Sequence, residues 1–170
     1  NNSSTIGVSY PALKREVIAV GAIDENDDYA TFSDRGPDLE IMAPGVDIDT
    51  WDDNNLNGTS FSSPIVCATA ALMKSVNPAL TNTQIRDLLK QTAYKNPSYN
   101  FNNSNNIWND PNWNAYFGFG RVDTYSAVCA AIDLIPQKTI TGNETWDKDT
   151  YSNYDISIEP GATLTITGTL

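Results

Sequence analysis

The segment from Asn57 to Pro64, NGTSFSSP, has the residue types that surround a nucleophilic serine. Ser60 stands just before an apolar, small-residue stretch, where free amides and the positive end of a helix dipole favour developing negative charge. A hydroxyl attacks a carbonyl only when a base takes its proton, and amide donors must hold the resulting oxyanion. The sequence contains no histidine to serve as that base. Taken alone, Gly-Thr-Ser is more simply interpreted as the N-cap of a helix.

Short apolar runs and one helix are predicted to position this serine. Residues 16–22 have the composition of a strand that is buried on both faces, as in a parallel sheet, and residues 41–45 are predicted to end a second strand. Residues 65–74, rich in small and apolar side chains, predict a buried helix. Pro64 is predicted to fall near its first turn, where a missing amide costs little.

Two further helices and an irregular segment are predicted downstream. Thr81 and Gln84 have the spacing of a capping box, which indicates the start of an amphipathic helix. Residues 94–113 are rich in asparagine, serine and aromatic side chains without a period, which predicts a loop. A last helix is predicted over residues 124–134.

Composition and charge exclude some functions. The net charge of -11, from 21 acidic and 10 basic residues, argues against nucleic acid as a partner. Acidic pieces such as residues 24–28 are interpreted as solvated turns, with calcium coordination as the alternative. No apolar run reaches the roughly 20 residues that span a bilayer. Cys67 and Cys129 lie in apolar stretches and are expected to be small buried hydrophobes rather than a disulfide.

Five blocks of the sequence resemble, in order and spacing, the subtilisin-like serine peptidases. The blocks are YPAL with EVIAVGAID, ATFSDRGPDLEIMAPGVDI, NGTSFSSP with its small-residue helix, NPALTNTQIRDLLKQTA, and FGFGRVDTYSAV. They extend from about residue 10 to residue 132. The resemblance implies an α/β fold with a parallel sheet, of which residues 1–135 form the C-terminal half of the subtilisin-like catalytic domain.

The resemblance also implies roles for the residues of the serine segment. Ser60 becomes the nucleophile, its own backbone amide becomes one oxyanion donor, and three preceding residues lie beside the substrate: Asn57, Gly58 and Thr59. In this family the triad aspartate and histidine, and the oxyanion asparagine, precede the block that begins at Tyr10. They are therefore expected in the N-terminal half of the same domain, which is the predicted partner of this chain. Residues 1–170 alone are predicted to be inactive.

Members of the family often hold a calcium or sodium ion near the YPA loop, although the chemistry requires no cofactor. The resemblance implies a weak cation site formed by Ala12, Lys14, Val17 and Glu40. The loop residues would supply carbonyl oxygens and Glu40 a carboxylate. An equally good interpretation makes Glu40 the solvated end of a strand.

The character of the sequence changes after Pro136. Ile156 with Ile158, and Leu164 with Ile166, alternate with polar residues on either side of a turn at 159–161, as half-buried strands do. Residues 136–170 are therefore predicted to be a small all-β segment. It resembles the start of a β-solenoid or β-sandwich accessory domain packed outside the catalytic core.

The function implied by the resemblance is that of a bacterial serine endopeptidase, secreted or at the cell surface. It would hydrolyse peptide bonds through an acyl-enzyme on Ser60. The alternative is a catalytically inert subtilase-like scaffold that serves as a surface or adhesion module. A histidine and an aspartate in the family's settings upstream would distinguish the enzyme from the scaffold.

Overall fold

A computed structural model describes the chain over residues 7–51, 55–101, 107–147 and 154–167. The architecture is α/β, as predicted from the sequence. Its centre is a pair of buried parallel strands, β1 (Val20–Ile23) and β2 (Ile41–Pro44), with Val20 opposite Ile41. A short antiparallel hairpin follows, formed by β3 (Ile48–Asp49) and β4 (Asn55–Leu56).

Loops cover part of both outer edges of this strand pair. On the β1 side, Ala22 donates its amide to the Ser33 hydroxyl at 3.0 Å, and its carbonyl accepts from the Ala30 amide at 2.9 Å. On the β2 side, the Met42 carbonyl accepts from the Val122 amide at 2.8 Å. These bonds satisfy backbone groups that a bare two-stranded sheet would leave unpaired.

The described residues form three helices: α1 (Thr59–Val76), α2 (Asn82–Thr92) and α3 (Thr124–Asp133). Helix α1 packs on both strands, and α2 and α3 pack against α1 and against each other. The main apolar core lies between the helices and β2, and includes Val66, Met73, Leu88, Leu89 and Ala127. The described part of residues 94–113 contains no helix or strand, as predicted; residues 102–106 lie outside the described ranges. Among the described residues, no helix combines the length and the apolarity that crossing a membrane requires.

Helix α1 differs from its prediction in two ways. It begins at Thr59, so Pro64 lies in the second turn rather than the first, and cannot donate an amide to the carbonyl of Ser60 four residues earlier. It is also not buried all round: Cys67 is exposed and unpaired, while Cys129 on α3 is half-buried and unpaired. Composition signals an apolar helix, but only the neighbouring elements decide which of its faces are covered.

The two later helices begin where their sequence signals place them. At α2, the Gln84 amide donates to the Thr81 hydroxyl at 3.2 Å, and the Thr81 amide donates to the Gln84 side chain at 2.8 Å. At α3, Asp123 accepts from the Ser126 amide at 2.9 Å. Both caps satisfy amides that have no partner inside the helix.

The C-terminal segment contains four strands: β5 (Gln137–Ile140), β6 (Asn143–Asp147), β7 (Asp155–Ile158) and β8 (Thr163–Thr167). Strand β5 pairs with β7 and β6 with β8, both in parallel. Gln137 lies opposite Asp155 and Asn143 opposite Thr163, so one coil takes about 18–20 residues. Strands β7 and β8 therefore stack on β5 and β6, one coil earlier in the sequence.

Candidate active site

Ser60 is the second residue of α1 and its side chain is exposed. The helix is capped by the extended backbone of Gly58, with no capping side chain, and the Phe61 amide donates to the Gly58 carbonyl at 3.0 Å. Ser60 is therefore not the N-cap that the tripeptide alone suggested. Its hydroxyl stands instead on the first helical turn, where amides have no acceptor four residues earlier in the helix and the helix dipole stabilises negative charge.

A direct backbone contact places this turn against the end of β2. The Gly58 amide donates to the Gly45 carbonyl at 2.8 Å, and the buried Ser62 hydroxyl donates to the Pro44 carbonyl at 3.1 Å. A Cβ atom on Gly45 would lie 2.4 Å from the Ser62 oxygen, so the approach depends on glycine. The serine thus stands at the carboxyl end of a parallel strand, where α/β proteins place their sites.

The β3–β4 hairpin projects from the chain immediately before this turn. The Asp47 amide donates to the Asn57 side-chain oxygen at 2.6 Å, which closes the base of the hairpin. Asn57 is exposed and Thr59 is half-buried. The structure therefore places Asn57, Gly58 and Thr59 around Ser60, and gives Asn57 a structural contact that the sequence did not indicate.

A recess of about 170 Å³ lies next to Thr59. It is lined by Val8, Ser9, Tyr10, Pro11, Ala12, Val20, Asp34, Leu39 and Thr59. The Ser9 hydroxyl donates to the Asp34 carboxylate at 2.9 Å in its wall. Sequence reasoning missed Asp34 as a neighbour of the serine segment, because the two lie in separate blocks that only the fold brings together.

The outward face of α1 continues from Ser60 as an apolar stripe. Its residues recur at helical spacing and, apart from half-buried Thr59, are exposed. They line an open depression of about 830 Å³: Thr59, Ser60, Ser63, Pro64, Cys67, Ala68 and Ala71. Among the described residues, nothing covers this stripe. Exposed apolar faces of this kind mark surfaces that another protein segment covers.

Two residues of the predicted cation site, Val17 and Glu40, contact an arginine. Glu40 is only 1% exposed, so it is not the solvated end of a strand. Arg86 donates from Nε to Glu40 Oε2 at 2.7 Å and from Nη2 to Oε1. The same Nη2 lies 3.2 Å from the Val17 carbonyl, and Nη1 donates to the Arg15 carbonyl. The hydrogen bond to Glu40 raises the pKa of Arg86.

The other residues of the predicted cation site have different contacts. The Lys14 carbonyl accepts from the Val17 amide at 2.9 Å, and Ala12 lines the recess beside Thr59. Since Glu40 and the Val17 carbonyl are engaged by a guanidinium, these residues do not fit a metal ion held through Glu40. Arg86 lies in the block TNTQIRDLLKQTA, but the sequence of that block does not indicate which residues Arg86 contacts.

The acidic piece at residues 24–28 is a hydrogen-bonded turn. The carboxylate of Asp24 accepts from the amides of Asn26 and Asp28, both at 2.9 Å. Within the described ranges, no three side chains of histidine, cysteine, aspartate or glutamate converge as a metal site would need. This geometry is that of an Asx turn, in which the carboxylate closes its own backbone.

Two parallel strands, flanking helices and an exposed serine on the first turn of a helix form an α/β arrangement with the serine at a strand's carboxyl end, where such folds bind ligands. The model of the subtilase family matches residues 1–120. The chain belongs to the subtilase family.

Curated relatives are bacterial proteases. The chain is 46% identical over 96 residues to a thermostable alkaline protease of Halalkalibacterium halodurans, covering 54% of this chain and 27% of that protein. It is 45% identical over 96 residues to subtilisin Savinase of Lederbergia lenta, covering 54% of this chain and 36% of that protein. The matched part is thus about a quarter to a third of these relatives' length.

Solved protease structures have the same fold. A protease of Pseudoalteromonas arctica aligns with a TM-score of 0.57 at 25% identity, over 72% of this chain and 38% of that one. MycP1 without its N-terminal propeptide aligns with a TM-score of 0.56 at 29% identity, over 70% of this chain and 38% of that one. The α/β arrangement predicted from the sequence is therefore that of subtilisin-like proteases.

Proposed function

We propose that this chain carries the nucleophile of a serine endopeptidase, Ser60, together with one half of the catalytic domain. The observation that carries the proposal is the placement of an exposed serine on the first turn of α1, at the end of β2, in a member of the subtilase family. The backbone amide of Ser60 is free of an intrahelical acceptor there, so it is available as an oxyanion donor.

The reaction follows from these groups. A base takes the Ser60 proton as its oxygen attacks the peptide carbonyl, and the tetrahedral oxyanion is held by the Ser60 amide. The base returns the proton to the leaving amine, and water hydrolyses the acyl-enzyme by the same steps. Since the chain contains no histidine, we assign the base to another segment of the protein.

That segment is the N-terminal half of the catalytic domain, and the α1 stripe is its docking face. The stripe is apolar, exposed and continuous with Ser60, so a segment that covers it also reaches the nucleophile. The relatives matched here are about three to four times as long as the matched part, which accommodates such a half. No cofactor is needed for the chemistry, because proton transfer and amide donors suffice.

The proposed substrate follows from the recess beside Thr59, and the proposed location follows from the relatives. The recess beside Thr59 is open to a side chain of a bound peptide, so peptides or proteins are the proposed substrates. The relatives are proteases of bacteria, and we propose a secreted or cell-surface bacterial protein. Residues 1–135 form the catalytic part, and residues 136–170 begin an accessory β domain of solenoid type, supported by parallel stacking of its strands.

A fluorophosphonate probe on the full-length protein tests the proposal. We expect covalent labelling that Ser60→Ala abolishes, because the probe reacts with serines activated by a base. Ser63→Ala is the matched control, since Ser63 is exposed one turn further along the same stripe. Full-length protein that is folded but unlabelled would favour the inert scaffold. Loss of labelling in Ser63→Ala as well would show that labelling is sensitive to any substitution in α1, and would not identify Ser60 as the labelled residue.

A further inference from the structure

We propose that the guanidinium of Arg86 takes the place of a structural cation in this protein. By doing so it acts as the positioning residue for the segment of residues 9–17, whose first part lines the recess beside Thr59. The part of this inference that concerns substrate rests on the proposed peptidase function. The part that concerns cation replacement does not.

The contacts of Arg86 are those that a bound cation would make. Structural cations of the calcium type are held by backbone carbonyls and carboxylate oxygens. Arg86 donates to the carbonyls of Arg15 and Val17 and to both carboxylate oxygens of Glu40. A guanidinium offers five N–H donors in a planar fork, which suits two carbonyls and one bidentate carboxylate at once.

Because the Glu40 carboxylate is buried, it needs a positive charge beside it. Glu40 is 1% exposed, and a buried carboxylate without a counter-charge is strongly destabilising. The Arg86 side chain is 21% exposed, and the Trp108 ring centroid lies 5.7 Å from its guanidinium carbon. A metal ion bound to Glu40 would therefore face a fixed positive charge a few ångströms away, in surroundings that screen it poorly.

Arg86 also connects α2 to the segment that shapes the recess. That segment consists of turns closed on themselves: the Leu13 amide donates to the Ser9 carbonyl at 3.1 Å and the Val17 amide to the Lys14 carbonyl at 2.9 Å. Ser9 lines the recess, while Arg86 holds the far end of the segment through Arg15 and Val17. Releasing that end should change how well the recess fits a substrate side chain.

The first experiment measures cation binding with terbium, a luminescent substitute for calcium, on the full-length protein. We expect Arg86→Ala to bind one terbium ion more than the wild type, with emission sensitised by nearby Trp108. Adding calcium or guanidinium should raise the Tm of this variant beyond any rise in the wild type, since each restores a positive charge beside Glu40. Comparison with the wild type subtracts cation sites elsewhere in the protein.

Two control variants sharpen this result. Lys90→Ala removes a cation on the same helix, which pairs with Asp87 and also faces Trp108, and should gain no terbium. Arg86→Lys keeps the charge without the fork, so it should fold and also gain none. A cation response of Arg86→Ala equal to that of the wild type overturns the proposal, as does a terbium gain in Arg86→Lys.

The second experiment tests positioning with small peptide substrates. We expect Arg86→Ala to raise KM severalfold while kcat stays within about twofold, because the recess binds substrate and the nucleophile is untouched. Calcium should restore KM in this variant and leave the Lys90→Ala protein unchanged. A fall in kcat with unchanged KM contradicts positioning through the recess. A protein without any peptidase activity contradicts the proposed function, and leaves the terbium result to decide cation replacement by itself.

Discussion

Because Gly45 has only a hydrogen atom as its side chain, the turn that presents Ser60 can lie close to the sheet. A Cβ atom there would lie 2.4 Å from the Ser62 oxygen, 2.8 Å from the Ala22 Cβ and 2.9 Å from the Gly58 carbonyl oxygen. Two of these neighbours belong to the turn that presents Ser60. The position of the nucleophile therefore depends on a residue 15 positions earlier in the sequence.

Gly45→Ala should destabilise the protein by about 1–3 kcal/mol, the usual cost of forcing extra atoms into a well-packed place. Labelling of Ser60 should fall as well, because the Gly58 turn must move. Gly142→Ala is the matched control, since a Cβ there meets no atom within 4 Å. Urea unfolding of both full-length variants measures the difference. Equal stability of the two would mean that the turn adjusts without cost.

At the scale of single elements, the capping box of α2 is a local device. Thr81→Ala removes the hydroxyl that accepts from the Gln84 amide, so we expect a loss of about 1 kcal/mol in unfolding free energy. Thr83→Ala, at an exposed position inside the same helix, should change stability by no more than about 0.5 kcal/mol. Thermal unfolding of the two variants provides the measurement, and a larger effect of Thr83→Ala would refute the role of the cap.

Local signals such as this one are the part of the fold that the sequence predicts well. The start of α2 depends on two residues three positions apart, and the sequence shows both. The contact between Glu40 and Arg86 joins residues 46 positions apart, so no local pattern reveals it. The sequence drew attention to Ser60 through its motif but predicted a buried helix over residues 65–74, of which one face is exposed, since composition does not identify which neighbours are present.

For the whole molecule, the absence of histidine from residues 1–170 leads to a prediction. These residues expressed alone should not hydrolyse peptides, because they contain no histidine to act as the base. Adding the N-terminal half, covalently or as a separate chain, should restore labelling of Ser60. The comparison is made with a fluorogenic peptide and the fluorophosphonate probe. Serine-dependent turnover by the 170 residues alone would contradict the assignment of the base to another segment.

The C-terminal strands should be dispensable for catalysis. Truncating the full-length protein after Pro136 removes β5 to β8 and none of the residues placed around Ser60. We expect kcat/KM on a small peptide to stay within a few-fold, while solubility changes. A loss of several orders of magnitude in a protein that is still folded by circular dichroism would give these strands a role in the active site.

Parallel stacking also dictates how this C-terminal segment can change in length. Each strand finds its partner one coil of about 18–20 residues away, with Gln137 opposite Asp155 and Asn143 opposite Thr163. Inserting one residue within a strand would turn its inward side chains outward, whereas inserting a complete coil would add one more layer and leave the others in register. Evolution can therefore lengthen or shorten this segment by duplicating or deleting whole coils, and its natural unit of variation is the layer rather than the residue.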